Sequence, residues 1–172
     1  MSGDGDLFLG VDVGTQSTKA VLVDVESGDV VARAARAYDL MEGLPAGHAE
    51  QHPSTWTEAA TAAIGEVSQG RGQRVRGVGV SGQQHGAVLL GDGDQVLRPA
   101  KLWCDTSAAE EAAALSSELG RSIPAGFTAP KLRWSAEREP ELWARVRRVL
   151  LPHDFLNLFL TGEFFTEVGD AS

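Results

Sequence analysis

The chain has 172 residues, 42% of them hydrophobic and 23% charged, a composition that can bury a core and excludes a disordered chain. A formal net charge of -9 excludes a general nucleic-acid binder, which needs a surplus of Lys and Arg, but leaves room for a nucleotide held by local amides and a metal ion. The single cysteine, Cys104, rules out an internal disulfide. No apolar run reaches the ~18 residues of a membrane span, and the acidic, flexible stretch 1–6 does not resemble a signal peptide, so a cytoplasmic protein with no membrane partner is expected.

Leu7 to Val13 reads as a buried strand, and Thr18 to Asp24 as a second one after a turn at Gly14. Glu26-Ser27-Gly28-Asp29 makes another turn before a third strand, Val30 to Arg36, which gives an antiparallel meander. A loop from Met41 to Gln51 follows. Pro53 suits a first helical position, and Trp56, Ala59, Ala60, Ala63, Ile64 and Val67 form a helical stripe. Val75 to Ser81, coming after that helix, is expected to return parallel to the first strand. Val88 to Leu90 and Val96 to Arg98 flank Gly91-Asp92-Gly93-Asp94 and predict a hairpin. Asp105 or Thr106 is placed to cap an Ala-rich helix that ends near Leu119 and stops at Gly120. Further helix starts are expected around Thr128 and Pro140, then a short apolar run, Val149 to Leu151. A last helix runs from Pro152 to Thr161 and is closed by Gly162. Gly162 to Ser172 opens something that is not completed. The fold class is α/β, a mixed sheet with a β-β-β-α-β start, as in a ribonuclease-H-like (actin-like ATPase) first lobe.

Three segments carry candidate chemistry. In Leu9-Gly10-Val11-Asp12-Val13-Gly14-Thr15-Gln16-Ser17-Thr18-Lys19, an apolar strand delivers a carboxylate that is costly there without a partner. Gly14 lets backbone amides approach an anion, while Thr15, Ser17 and Thr18 add hydroxyls and Lys19 adds positive charge. That describes a phosphate-facing hairpin with Asp12 suited to a magnesium ion or its waters, or else an ordinary turn whose Asp accepts local amide bonds.

The second segment, Gly77-Val78-Gly79-Val80-Ser81-Gly82-Gln83-Gln84-His85-Gly86, matches a dinucleotide fingerprint in spacing only, because its glycines lie within a strand that leads into another strand. Gln83, Gln84 and His85 at a strand end offer the mixed donors and acceptors that suit a neutral polyhydroxylated ligand, against the alternative of an exposed polar loop. In the third, Lys101-Leu102-Trp103-Cys104-Asp105-Thr106, Trp103 stacks on a sugar face and Asp105 accepts from a hydroxyl, or Trp103 is core and Asp105 a helix cap. His48, Glu50 and His52 lack the spacing of a zinc site, and no phosphate loop of the Gly-x-x-x-x-Gly-Lys type is present.

These residues together resemble the FGGY carbohydrate kinases, a branch of the sugar kinase and actin-like ATPase superfamily. The resemblance is carried by Gly10-Val11-Asp12-Val13-Gly14-Thr15 with Lys19, by Glu50-Gln51 before Pro53 and Trp56, and by Gly82-Gln83-Gln84-His85-Gly86. It continues through Leu97-Arg98-Pro99-Ala100 to Trp103 and Asp105, Gly126-Phe127-Thr128-Ala129-Pro130-Lys131-Leu132, Leu150-Leu151-Pro152 with Asp154, and Leu160-Thr161-Gly162-Glu163.

The substrate loop is similar to the D-xylulose form of the family's Gly-Gln-x-His-Gly pattern. The resemblance implies ATP-dependent phosphorylation of D-xylulose to D-xylulose 5-phosphate with Mg2+, and small-molecule sugar and nucleotide as partners. It implies Asp12 in magnesium and phosphate chemistry, Gly14, Thr15, Ser17 and Lys19 near the phosphates, and Gln84, His85, Trp103 and Asp105 at the sugar. Glycerol is disfavoured, since the Arg-Glu pair of glycerol kinases is missing. A related ketose or gluconate remains open, as do a non-catalytic sugar-binding module and an actin-like interaction domain. Family members are longer and place their general base beyond the position of Ser172, and a homodimer of the intact enzyme is left open. Residues 7–172 are therefore expected to be a truncated N-terminal lobe that is inactive alone.

Overall fold

A computed structural model describes residues 5–167 of the chain. In chain order the strands and helices are β1 (Leu7–Val13), β2 (Ser17–Asp24), β3 (Val30–Ala37), β4 (Glu50–Gln51), α1 (Pro53–Ser68), β5 (Val75–Gly82), β6 (Val88–Leu90), β7 (Ala100–Lys101), α2 (Ala109–Leu119), α3 (Thr128–Arg138), α4 (Pro140–Trp143), β8 (Arg148–Leu150) and α5 (Pro152–Thr161). They fall into two compact units. The first takes the chain up to Asp39 together with Ser54–Gly82, and the second takes Leu40–Pro53 and the chain from Gln83 onward.

The first unit is a four-stranded sheet in the order β3-β2-β1-β5. β1 pairs antiparallel with β2 and parallel with β5, and β2 pairs antiparallel with β3, so the expected mixed sheet is present. The two-residue period of β1 explains its burial: Leu7, Leu9, Val11 and Val13 lie in the core, while Phe8 is exposed on the opposite face. Thr18, Ala20 and Leu22 of β2 are buried too, each large apolar side chain contributing about 1.5–3 kcal/mol. From α1, the predicted stripe residues Trp56, Ala59, Ala60, Ala63 and Val67 join this core, and Arg36 of β3 reaches Glu66 of α1 at 2.5 Å. The turn after β2 is built on Asp24, whose Oδ1 accepts from the amides of Glu26 and Ser27 at 3.0 and 3.3 Å. Gly28 in that turn has φ of 76°, which any Cβ would disfavour.

Of the predicted flexible stretch, residues 1–4 lie outside the described residues. Gly5 and Asp6 are held by side chains of the first unit: the Gly5 carbonyl accepts from Arg74 at 2.7 Å and Asp6 accepts from Arg76 at 2.8 Å.

The second unit holds two small antiparallel sheets, β4-β7 and β6-β8, and the helices α2 to α5. Three expectations are corrected here. The predicted hairpin around Gly91 to Asp94 forms its turn, with the Gly91 amide donating to the Gln95 carbonyl and the Leu97 amide to the Leu89 carbonyl at 2.9 Å each. Its second arm, however, is an isolated bridge from Leu90 to Val96 and not a strand, and the strand partner of β6 is the distant β8. The apolar run near Val149 supplies that partner. Val88, Leu89 and Leu90 of β6 and Leu150 of β8 all enter the core, so the distant pairing buries apolar side chains. Second, Asp105 and Thr106 do not cap α2, which starts at Ala109 after Ala108 with no side-chain cap, because the Asp105 carboxylate is turned to other partners. Third, part of the predicted loop 41–51 is the strand β4.

The helix stops fall where expected, with Gly120 and Gly162 left-handed at φ of 65° and 76°. Residues 163–167 carry no helix or strand, and the remainder of the predicted open segment, 168–172, lies outside the described residues. Among the described residues no helix is long and apolar enough to cross a membrane.

Candidate functional site

In the first unit, sheet register places the acidic and basic candidates side by side. Asp12 of β1 is directly opposite Lys19 of β2 and Ser81 of β5. Because Val11 and Val13 take the buried face, Asp12 points to the other one and is half-buried there. It lines a cavity of about 690 Å³ together with Gly10, Lys19, Val21, Arg33 and Gly79. Among the described residues its carboxylate accepts no hydrogen bond and forms no ion pair, so its lone pairs stay available for a hydrated cation. A single open carboxylate fits magnesium, which keeps most of its own waters.

The turn between β1 and β2 is closed by the Gly14 amide, which donates to the Ser17 carbonyl at 3.0 Å. A Cβ at Gly14 would approach that carbonyl oxygen to 3.3 Å, a tight contact. Tyr38, a residue sequence reasoning passed over, braces the turn from beyond β3. Its hydroxyl donates to the Gly14 carbonyl at 2.7 Å and lies 3.1 Å from the Thr18 hydroxyl. Burial pushes the Tyr38 hydroxyl pKa up, opposed by the Thr18 hydrogen bond and aided by the nearby Asp12 charge. Ser17 is half-buried at the start of β2, Lys19 is exposed, and Thr15 is half-buried in the turn itself.

In the second unit the other candidates sit on loops, held by side chains. Gln84 is exposed and His85 half-buried in the loop after β5. His85 has φ of 57°, a left-handed conformation that costs a non-glycine residue about 1–3 kcal/mol unless its surroundings impose it. Its ring stacks on Phe127, with centroids 4.3 Å apart and planes 20° apart. Its carbonyl accepts from Lys131 Nζ at 2.7 Å. Gly86, next along, has no room for a side chain, since a Cβ would meet Pro152.

Lys131, on α3, is 0% exposed and donates also to the Gly126 carbonyl. Burial pulls its pKa down to about 8, against the Asp105 charge, which pulls it back up. Gly126 is packed so closely on the Trp103 carbonyl that a Cβ there would collide with it. The His85 loop, the Gly126–Phe127 turn and the backbone at Trp103 therefore meet at one lysine.

Trp103 is 52% exposed and is not core. Asp105 is 0% exposed, and both of its oxygens are engaged. Oδ1 accepts from the Ser107 amide at 3.0 Å and from the Ser107 hydroxyl at 2.5 Å, while Oδ2 accepts from the Ala49 amide at 2.8 Å. Lys101, 2% exposed, lies at the centre of this cluster. Its Nζ is 2.7 Å from Ser107 Oγ, 3.0 Å from Glu50 Oε1, 3.3 Å from His48 Nδ1 and 3.5 Å from Asp105 Oδ2, and sits 3.9 Å from the centre of the Trp134 ring.

His48, Glu50 and Asp105 have the mutual spacing of metal ligands, but the Lys101 ammonium fills the space between them. Glu50 also accepts from Arg98 at 2.6 Å. Burial alone would raise the Glu50 pKa, yet hydrogen bonds and charge from Arg98 and Lys101 outweigh it and hold that carboxyl below its usual range. Sequence reading missed this network, as it missed Lys131 and Phe127. The only signal was their presence among residues carrying the resemblance, or beside them.

The chain is similar to known proteins along most of its length. Residues 7–172 match the model of the FGGY family of carbohydrate kinases, N-terminal domain. The xylulose kinase of Haemophilus influenzae is 38% identical over 183 residues, covering 96% of this chain and 37% of the relative. Among solved structures, a xyloylose kinase from Brucella ovis superposes with a TM-score of 0.89 at 41% identity, covering 96% of this chain and 36% of that one. The xylulose kinase from Rhodospirillum rubrum gives 0.86 at 31% identity, with the same coverage of 96% and 36%. The structural match supports the expected actin-like first lobe. The chain spans little more than a third of the length of the curated relatives it matches.

Proposed function

The chain belongs to the FGGY family of carbohydrate kinases, matching its N-terminal domain, and from that premise we propose that it forms part of an ATP-dependent D-xylulose kinase. The observation that carries the reading is the His85 loop. It presents an exposed Gln84 and an imidazole set against Phe127, with a half-exposed Trp103 on the adjoining backbone. The relatives named above being xylulose kinases supports the choice of sugar.

In the reaction a sugar hydroxyl oxygen bonds to the γ-phosphorus of ATP, the bond from that phosphorus to the β,γ-bridging oxygen breaks, and the hydroxyl proton leaves. The products are D-xylulose 5-phosphate and ADP. Magnesium, when bound, neutralises charge on the phosphate oxygens. Asp12 would hold that ion through water. The turn at Gly14, the hydroxyls of Thr15 and Ser17, and the Lys19 ammonium are assigned to the phosphates in this reading, which the register of Lys19 opposite Asp12 supports. Gln84 and His85 donate to and accept from the sugar hydroxyls, and Trp103 offers a face for stacking. Asp105, with its oxygens already engaged, serves by fixing the turn that carries Trp103. None of these residues is assigned the proton transfer.

The test is ADP release with magnesium by the whole protein that carries this chain, comparing D-xylulose, D-ribulose, D-gluconate and glycerol. D-xylulose is expected to give the highest kcat/KM. A higher value for gluconate would replace the sugar assignment, and binding of D-xylulose without ADP release would favour a sugar-binding module.

A further inference from the structure

We propose that Lys131 is a positioning residue for sugar recognition, holding the His85 loop and the Gly126–Phe127 turn in one arrangement; this rests on the reading of His85 as a sugar ligand. Lys131 lies one helical turn into α3 and is wholly buried, an unusual place for an ammonium. It is not there to neutralise a carboxylate by contact: its hydrogen bonds go to two backbone carbonyls, those of His85 and Gly126.

Each of those carbonyls belongs to a residue that needs help. His85 is held at φ of 57° without being glycine. Gly126 is pressed against the Trp103 carbonyl, where no side chain fits. The residue after Gly126 is Phe127, whose ring stacks on the His85 imidazole at 4.3 Å. One cation thus draws both carbonyls inward and brings imidazole and phenyl face to face, with the Trp103 backbone against the same turn. Without the ammonium, two inward carbonyls would lose a charged donor and the strained His85 backbone would be free to relax. The imidazole would then leave Phe127, and a sugar would meet a mobile ligand in place of a preset one.

The experiment uses the whole protein carrying this chain, with Lys131→Met, which keeps length but removes every donor, and Lys131→Gln, which keeps two donors without charge. Two quantities are read: the NMR shifts of the His85 ring protons without sugar, and KM for sugar and nucleotide separately. Stacking on Phe127 gives the His85 protons a ring-current shift, and Phe127→Leu provides the reference for an unstacked ring. Lys131→Met is expected to move the His85 resonances to the Phe127→Leu position and to raise the sugar KM about tenfold, with the nucleotide KM within twofold; a tenfold change is about 1.4 kcal/mol. Lys131→Gln should recover part of both effects, and it decides the matter should Lys131→Met not fold.

His85 resonances unmoved in the folded variants, or losses shared equally by both substrates alongside a lower Tm, would overturn the proposal by showing a purely structural lysine. Resonances that move while the sugar KM stays constant would leave the brace standing and remove His85 from the sugar site, which is a failure of the functional reading instead.

Discussion

In the β3-β2-β1-β5 sheet, candidate residues are placed by backbone register, whereas in the unit formed by residues 40–53 and 83–167 they are placed by buried cations. Asp12 meets Lys19 and Ser81 because three strands are hydrogen-bonded in a particular alignment, and no side-chain contact is needed to hold it there. His85, Trp103 and Asp105 lie outside regular strands and helices, and Lys131 and Lys101 do what register does in the sheet. The two devices should fail differently. A sheet loses a function when one side chain is changed and keeps its shape. A loop held by a buried charge loses its shape first, because removing one ion leaves its partners uncompensated.

Several substitutions test this contrast. The largest effect is expected from Lys101→Met, which leaves Glu50 and Asp105 buried without their shared ammonium. A loss of about 3–5 kcal/mol should appear in denaturant unfolding of the chain, with faster hydrogen exchange around β4, β7 and residues 102–108. A loss below about 1 kcal/mol would reduce the network to the weight of a surface ion pair. The same network sets an acid limb. With the Glu50 pKa lowered in the folded state, its contribution is complete above the ordinary glutamate value and is lost as pH falls through the lower folded one. Removing Lys101 removes one of the two cations holding Glu50 down, so in Lys101→Met that loss should begin at higher pH in an acid titration of the folded signal.

Next in size is Asp12→Asn in the whole protein, expected to cut kcat on the order of a hundredfold or more while leaving sugar affinity and unfolding midpoint nearly unchanged. Turnover at the parent rate would return Asp12 to an ordinary strand residue. His85→Ala should lower kcat/KM for D-xylulose by about 1–3 kcal/mol, roughly fivefold to 150-fold, with little change for nucleotide. An unchanged value would remove His85 from the sugar site. The smallest effect belongs to Tyr38→Phe. Loss of its hydrogen bonds to Gly14 and Thr18 should cost about 1 kcal/mol of stability, measured by the same denaturant titration. A cost of several kcal/mol would mean that the β1–β2 turn depends on side chains as heavily as the His85 loop does.

What the amino-acid sequence by itself determined is the first sheet and its candidate carboxylate. Alternation in β1, glycines at the turns and the stripe on α1 are local patterns, and a parallel return after a helix follows from chain handedness, so the placement of Asp12 beside Lys19 could be read in advance. The positions of Gln84 and His85 were legible as a polar loop after a strand, though not their conformation. Only the tertiary structure decided that Leu89 pairs with the distant Val149, that Asp105 turns to Ala49 and Lys101 instead of capping α2, and that Trp103 is exposed. It also brought Lys131 to the carbonyl of a residue 46 positions away. The physical reason is range. Periodicity and turn chemistry act over a few residues and leave their mark in the sequence, whereas a buried ammonium finds its acceptors only after distant segments have packed and excluded water, and no spacing in the chain announces which carbonyls those will be.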